Sequence, residues 1–238
     1  MTCKMLMIGT LAAALAGAQP QPQPRVVDPG GVGKAPSDAV VLFDGKDVSN
    51  WTTLDGQPSR CQVSGGVMAC TSGVGHMYSR QKFGSAQIHL EFAPPLMPDH
   101  HDQMRANSGV YLHGRYEIQV LDSFHNPTYP TGVCGALYGQ AAPLVNAARP
   151  PEEWQTYDII FHAPKCDASG ALLARGRVTV LWNGVLVQDN VEIQDIRKGC
   201  AVDKIGDPGP LMLQDHSGFH NAPVTTMKFR NIWYRPLD

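Results

Sequence analysis

Apolar and polar residues alternate along most of this chain. In "GSAQIHLEFAPP" (84–95), Ile88, Leu90 and Phe92 alternate with Gln87, His89 and Glu91, and a proline pair ends the run. Side chains two apart on a strand share a face, so this run predicts a strand with one buried face. Similar patterns predict strands at "VVLF" (40–43), "SGVYLH" (108–113), "YEIQVLD" (116–122), "WQTYDIIFHAP" (154–164), "PLMLQDHS" (210–217) and "TTMKFRNIWYRPL" (225–237). "RVTVLWNGVLVQDN" (177–190) predicts a hairpin: Asn183-Gly184 is the favoured type I′ pair, with Trp182 facing Val185. No long window repeats every 3.6 residues, so helices are not expected to build the core. Many short strands with Gly/Pro turns predict an all-β fold, a jelly-roll sandwich of two antiparallel sheets.

Composition sharpens this picture. The 24 glycines and 19 prolines supply the turns that such a fold needs. A formal charge of −2, with no basic run interleaved with aromatics, argues against a nucleic-acid partner. Lys4, the apolar run 5–15 and Ala16-Gly17-Ala18 form a signal-peptide pattern over 1–18, and 5–15 is too short to span a bilayer. No membrane span is expected after its removal, and the location is expected to be periplasmic or secreted. Residues 19–39, "QPQPQPRVVDPGGVGKAPSDA", form a Pro/Gly-rich linker that is not expected to pack, leaving 40–238 as the folded domain. An exported chain keeps disulfides. "CQVSGGVMAC" (61–70) predicts a hairpin on Gly65-Gly66 that sets Cys61 opposite Cys70, within bridging distance. Cys166 and Cys200, both in loop-like insertions, form a weaker second pair, and Cys134 is then left over. No Cys/His spacing marks a metal site, and His100-His101 fits a solvated loop better than a ligand pair.

The chemistry concentrates in "NSGVYLHGRYEIQVLD" (107–122). Alternation sends Val110, Leu112, Tyr116, Ile118 and Val120 to the core, and Tyr111, His113, Glu117 and Gln119 to the other face, with Arg115 in the turn. In "PLMLQDH", Leu211, Leu213 and Asp215 share one face, and Met212, Gln214 and His216 the other. A curved sheet would gather Tyr111, His113, Glu117, Gln119, Gln214 and His216 into one concave groove. Solvation alone also predicts polar residues on an outer face. Lysine, an ordinary choice for a solvated face, is absent from 107–122, however, and Glu, His, Tyr and Arg transfer protons and bind hydroxyls. Tyr111 and Trp154 are candidates to stack on a sugar. The irregular stretch 122–153 is too long for a plain connection and is expected to fold over one sheet and wall a pocket.

On these residues the chain resembles the secreted bacterial 3-keto-disaccharide hydrolase family, formerly a domain of unknown function with a concanavalin-like jelly roll. The matching blocks, in order, are "LFDGKDVSNW" (42–51), "NSGVYLHGRYEIQVLD" (107–122), "CGALYGQAAPLVNAARPPEEWQTYDI" (134–159), "VTVLWNGVLVQDN" (178–190), "GPLMLQDHS" (209–217) and "FRNIWYRPL" (229–237). One departure is "FHNAPVTTMKF" (219–229), where the family carries a short glycine turn. The resemblance implies that 40–238 is a catalytic domain for glycosides already oxidised at C3 of the sugar. A 3-keto group acidifies the C2 proton, so a base can generate an enolate that expels the C1 substituent. Glu117 is then the expected base, and His113 and His216 the expected donors to the enolate or the leaving group. Asn107, Tyr111, Arg115, Gln119, Asp122, Trp154 and Gln214 are the expected substrate-binding set, with Asp122 alternatively holding the loop. No cofactor is expected, and a functional link to a sugar 3-dehydrogenase follows from the substrate. The alternative reading is a non-catalytic, lectin-like carbohydrate-binding module, because this fold hosts both.

Overall fold

The alternating runs become antiparallel strands in the computed structural model, which describes residues 23–31, 33–194, 199–219 and 221–237. The expected signal peptide lies outside the described residues. In chain order the strands begin with β1 (Val40–Phe43), β2 (Trp51–Thr52), β3 (Gln62–Ser64), β4 (Val67–Thr71) and β5 (Met77–Phe83). They continue with β6 (Ala86–Ala93), β7 (Ser108–Leu112), β8 (Tyr116–Val120), β9 (Gln155–His162), β10 (Lys165–Cys166) and β11 (Leu172–Ala174). The last are β12 (Arg177–Trp182), β13 (Val185–Glu192), β14 (Gly209–Leu213) and β15 (Thr226–Pro236), and a short helix, α1, covers Gly199–Asp203.

An eight-stranded sheet runs β13-β12-β9-β6-β15-β4-β3, with β1 also on β15. A five-stranded sheet runs β2-β5-β14-β7-β8, and β10 and β11 form a separate ribbon. The long strand β15 shifts register between Arg230 and Trp233, so β4 pairs with one half of it and β1 with the other. The two sheets bury one face each between them. Ile88, Leu90, Phe92, Val110, Leu112, Ile118, Val120, Tyr157, Ile159, Phe161 and Leu211 are all fully buried, as their alternation requires. Each such side chain contributes roughly 1.5–3 kcal/mol by leaving water. The chain is therefore the all-β jelly roll its pattern predicts.

The predicted turns form as expected. Trp182 faces Val185, and Asn183 and Gly184 take φ of 53° and 79°, the left-handed pair of a type I′ turn. Ser64 faces Val67 across Gly65-Gly66, which sets Cys61 and Cys70 4.5 Å apart at Cα, and they are bridged. Cys166 and Cys200 form the second disulfide, and Cys134 is buried and free.

Residues 23–31 of the expected linker are almost all exposed, but its later part is tied to the outer face of the eight-stranded sheet. Asp28 and Ser37 bond each other's backbone, at 2.9 and 3.1 Å, and close the segment into a loop. Asp38 then binds Arg235 of β15 at 2.7 Å, and Asn231 donates to the Gly33 carbonyl. Composition indicated a tether because it does not register that one aspartate and one turn suffice to pin it.

The stretch 122–153 extends the five-stranded sheet before crossing to the other one. Gly135 donates to Gln119, Gln119 to Ala136, and Tyr138 to the Glu117 carbonyl, each at 3.0 Å, so residues 135–138 line the free edge of β8. Further on, Leu144 donates to Val187 of β13, closing one side of the sandwich.

Candidate active site

Register builds the site. Tyr78 pairs with Met212, Met212 with Tyr111, and Tyr111 with Glu117. Leu137 bridges to Ile118 on the core side, which places Tyr138 beside Glu117 on the outer side. One row of side chains therefore crosses the outer face of the five-stranded sheet: Tyr78, Met212, Tyr111, Glu117 and Tyr138. Within it the Tyr111 hydroxyl donates to Glu117 Oε2 at 2.7 Å, and the Gln214 amide donates to the Tyr111 oxygen at 3.0 Å. Glu117 Oε1 lies over Gly109, where a Cβ would collide with that oxygen and with the Tyr111 ring. Glycine at 109 is thus a requirement of space, not of backbone angle.

The electrostatics of Glu117 follow from this packing. Burial pushes its carboxyl up to about 7, and the Tyr111 hydroxyl bond opposes that rise only in part. No cation among the described residues pairs with it. A carboxyl poised near neutrality suits a general base, which works best with its pKa near the working pH.

An amide cluster braces the same face. Gln119 Nε2 donates to Gln103 Oε1 at 3.1 Å and to the Gly132 carbonyl at 3.2 Å. Asn107 donates to both the backbone and side-chain oxygens of Gln103 at 3.0 Å, so Asn107 positions Gln103 and through it Gln119. Gln119 Oε1 and Gln214 Oε1 are buried and accept no hydrogen bond among the described residues. Each would gain from a hydroxyl donor.

Two histidines stand at the end of the face where β14 stops. Asp215 N–H donates to His76 Nδ1 at 3.1 Å, which leaves the His76 proton on Nε2. His216 stacks on Phe219 with centroids 4.8 Å apart, so the segment that departs from the family pattern supplies its partner. Burial lowers the pKa of His216, and His76 adds to this while Asp215 opposes it. His76 was not among the residues expected from sequence. The alternation in "HMYSR" (76–80), which puts His76, Tyr78 and Arg80 on one face, is the signal that would have found it.

Four expected site residues lie elsewhere. His113 has φ of 56°, in the left-handed region, so the turn rotates it out of the strand's alternation. Its ring sits in the core, 4.8 Å from Phe161 and 5.2 Å from Phe83, and its Nε2 meets the Gly84 carbonyl at 3.0 Å. Arg115 reaches away from the face to the carbonyl of Asp203 in α1. Asp122 is buried, paired with Arg105 at 2.7 Å and capping Phe124 N–H, so it holds the loop. Trp154, just before β9, lies beside the opposite sheet, under the Arg230 guanidinium at 4.0 Å. Strand parity carries no information about which sheet a distant tryptophan joins.

Glu117, Tyr111, Gln119, Gln214, His216 and the bracing Asn107 do share one end or face of the five-stranded sheet. This face suits a carbohydrate-active protein of the glycosyl hydrolase type, and the comparisons supply that class. Residues 38–235 match the family described as the 3-keto-alpha-glucoside-1,2-lyase-like domain, and the chain belongs to it. A crystal structure of a candidate glycosyl hydrolase from Parabacteroides distasonis is 38% identical, with a TM-score of 0.82 over 94% of this chain and 97% of that one. A second candidate glycosyl hydrolase from the same organism, 20% identical, shares the fold with a TM-score of 0.60 over 84% of this chain and 94% of that one. No curated protein matches the sequence.

Proposed function

We propose that the face around Glu117 cleaves glycosides or disaccharides whose sugar is already oxidised at C3. Glu117 Oε1 removes the C2 proton, and the electron pair moves onto the C3 carbonyl as an enolate. The pair returns as the carbonyl reforms, C1=C2 forms, and the C1–O bond breaks with its electrons on the leaving oxygen. That oxygen takes a proton. Water then adds at C1 and a proton returns to C2, so the net reaction is hydrolysis. The Tyr111 hydroxyl, steadied by Gln214, holds Glu117 Oε2 so that Oε1 faces the substrate. Gln119 and Gln214, whose Oε1 atoms are shut off from solvent, act by bracing Gln103 and the Tyr111 hydroxyl. His76 and His216 are the nearby groups for protonating the enolate or the leaving oxygen.

The observation that carries this reading is a buried carboxyl raised to about 7, held by one phenol and facing the Cβ-free Gly109. An ordinary glycosidase needs a second carboxyl roughly 5–10 Å away. Asp122, the acid next along the strand, is committed to Arg105. Two disulfides support an oxidising compartment, in line with a periplasmic or secreted enzyme. The substrate requires an oxidoreductase that oxidises C3 first, hence the link to a sugar 3-dehydrogenase. The test is to incubate the protein with 3-keto-trehalose, 3-keto-lactose and their parent sugars. Monosaccharide release from the 3-keto forms is expected; release from the parents alone would overturn the reading, and binding without release would favour a lectin.

A further inference from the structure

Tyr129 and Tyr138 have no part in the chemistry above, yet they stand beside it. Tyr138 is the cross-strand neighbour of Glu117, its N–H bonded to the Glu117 carbonyl at 3.0 Å. Its hydroxyl and that of Tyr129 share a 2.6 Å hydrogen bond. The two rings meet edge to face, with centroids 6.3 Å apart and planes at 67°. Both remain well exposed, at 43% and 39%, although aromatic rings are costly to leave in water. They are also rigidly mounted. The Tyr129 ring covers Gly132, where any side chain would collide with it. Gly139 N–H bonds Thr131 at 3.0 Å, and Gln140 and Ala141 both donate to Leu137 at 2.9 Å. Two fixed rings at an open corner, with hydroxyls paired, have the form of a binding platform and not of core filling.

The place of this corner relative to the base identifies what it would hold. Glu117 Oε1 faces Gly109, so the ring that loses its C2 proton lies toward Tyr111 and Gln214. Tyr138 is on the other side of Glu117, one strand spacing outward, or about 4.8 Å. C1 is bonded to C2, so the leaving oxygen starts two bonds from the carbon that gives its proton to the base. A hexose ring is about as wide as that spacing, so a second ring would extend over the tyrosine corner. One hydroxyl of the pair donates to the other, which leaves one O–H donor and free lone pairs for sugar hydroxyls. Burial, the Tyr138 hydroxyl and the charges of Asp102 and Glu117 all raise the Tyr129 phenol's pKa, so it stays a donor.

We propose that Tyr129 and Tyr138 form a second subsite that binds a neutral, polyhydroxylated leaving ring, and so select disaccharides over glycosides with small leaving groups. This rests on the function proposed above. The measured quantity is the ratio of kcat/KM for a 3-keto-disaccharide to that for methyl 3-keto-glucoside. In the wild type the ratio is expected to exceed one. Y138A and Y129A should lower it about five- to tenfold, the scale of one aromatic contact. Y129F, which keeps the ring and loses the hydroxyl pair, should fall between. A ratio unchanged in all three variants would overturn the subsite, as would equal loss on both substrates, which marks a structural role. If the wild type turns over neither substrate, the proposed reaction fails, and the subsite is then judged on binding of the unoxidised disaccharide by calorimetry. Weaker binding in Y138A than in the wild type, with E117Q still binding, would sustain it; equal binding in Y138A and wild type would end it.

Discussion

The two outer faces of the sandwich carry similar residue types and use them oppositely. On the eight-stranded sheet, His89 stacks on Trp233 at 5.2 Å and meets Asp158 at 2.7 Å, while Glu91 is bound by Arg230 at 2.6 Å and by Asn231 at 3.0 Å. Val27, Pro29, Gly31, Gly33, Lys34 and Pro36 then line a groove over them, and Asp38 is tied to Arg235. Glu91, Asp158 and Asp38 thus each have a cation or an imidazole. On the five-stranded sheet, Glu117 is buried with a phenol and no cation among the described residues, and two neighbouring amide oxygens lack donors. An acid, an imidazole and an aromatic ring on a sheet face do not by themselves make a site. The unmet needs of the groups do, because a polar ligand group gains most where the protein has left charge or hydrogen bonding unsatisfied.

The largest expected effect that separates the faces is E117Q. Loss of a general base costs about 10²–10⁴-fold in turnover, so this variant should lose nearly all cleavage of a 3-keto-disaccharide. Its stability should change in the other direction. A carboxyl raised to about 7 from its usual 4.5 binds more protons folded than unfolded between those values. Native stability from this group is therefore complete below about pH 4.5 and falls as pH rises to about 7. E117Q removes that loss, so it should be more stable than wild type at pH 8, by at most about 3 kcal/mol, and equal to it near pH 4, read by urea titration.

G109A should come next. The added methyl displaces Glu117 Oε1 and the Tyr111 ring, and misplacement by about 1 Å costs on the order of 10²-fold in kcat. Steady-state kinetics at constant thermal midpoint would check it; normal kcat would mean the Glu117–Tyr111 geometry is not required. H89Q, on the opposite face, should show the smallest catalytic effect. It weakens a satisfied network and should cost about 1–3 kcal/mol of stability, with kcat/KM unchanged. Loss of turnover in H89Q without loss of stability would mean that the eight-stranded face also has a catalytic role.

The fold was legible because its signals are local. Alternation in β6, β7, β8 and β9, the Asn183-Gly184 turn and the Cys61–Cys70 register all depend on neighbouring residues and formed as read. The row of Tyr111 and Glu117 was legible for the same reason, since the two strands are joined by a short turn. Alternation breaks at that turn, because the left-handed backbone at His113 sends its ring to the core. Trp154 and Arg115 lie away from the expected face because partners distant in sequence fix them, namely Arg230 and Asp203, whereas Asp122 takes its loop-holding alternative through Arg105. Tyr138 was hidden in the other direction. It lies in an irregular stretch that only becomes a sheet edge beside β8 once the chain is folded.

The role proposed for Glu117 as the base that starts cleavage is read from the pH dependence of kcat/KM. With a 3-keto-disaccharide as substrate, the wild-type profile should rise tenfold per pH unit on the acid side and level off above about 7, where the Glu117 carboxyl loses its proton. E117Q should have both a far lower plateau and no inflection in that region. An E117Q profile that keeps the wild-type height and inflection would contradict the account.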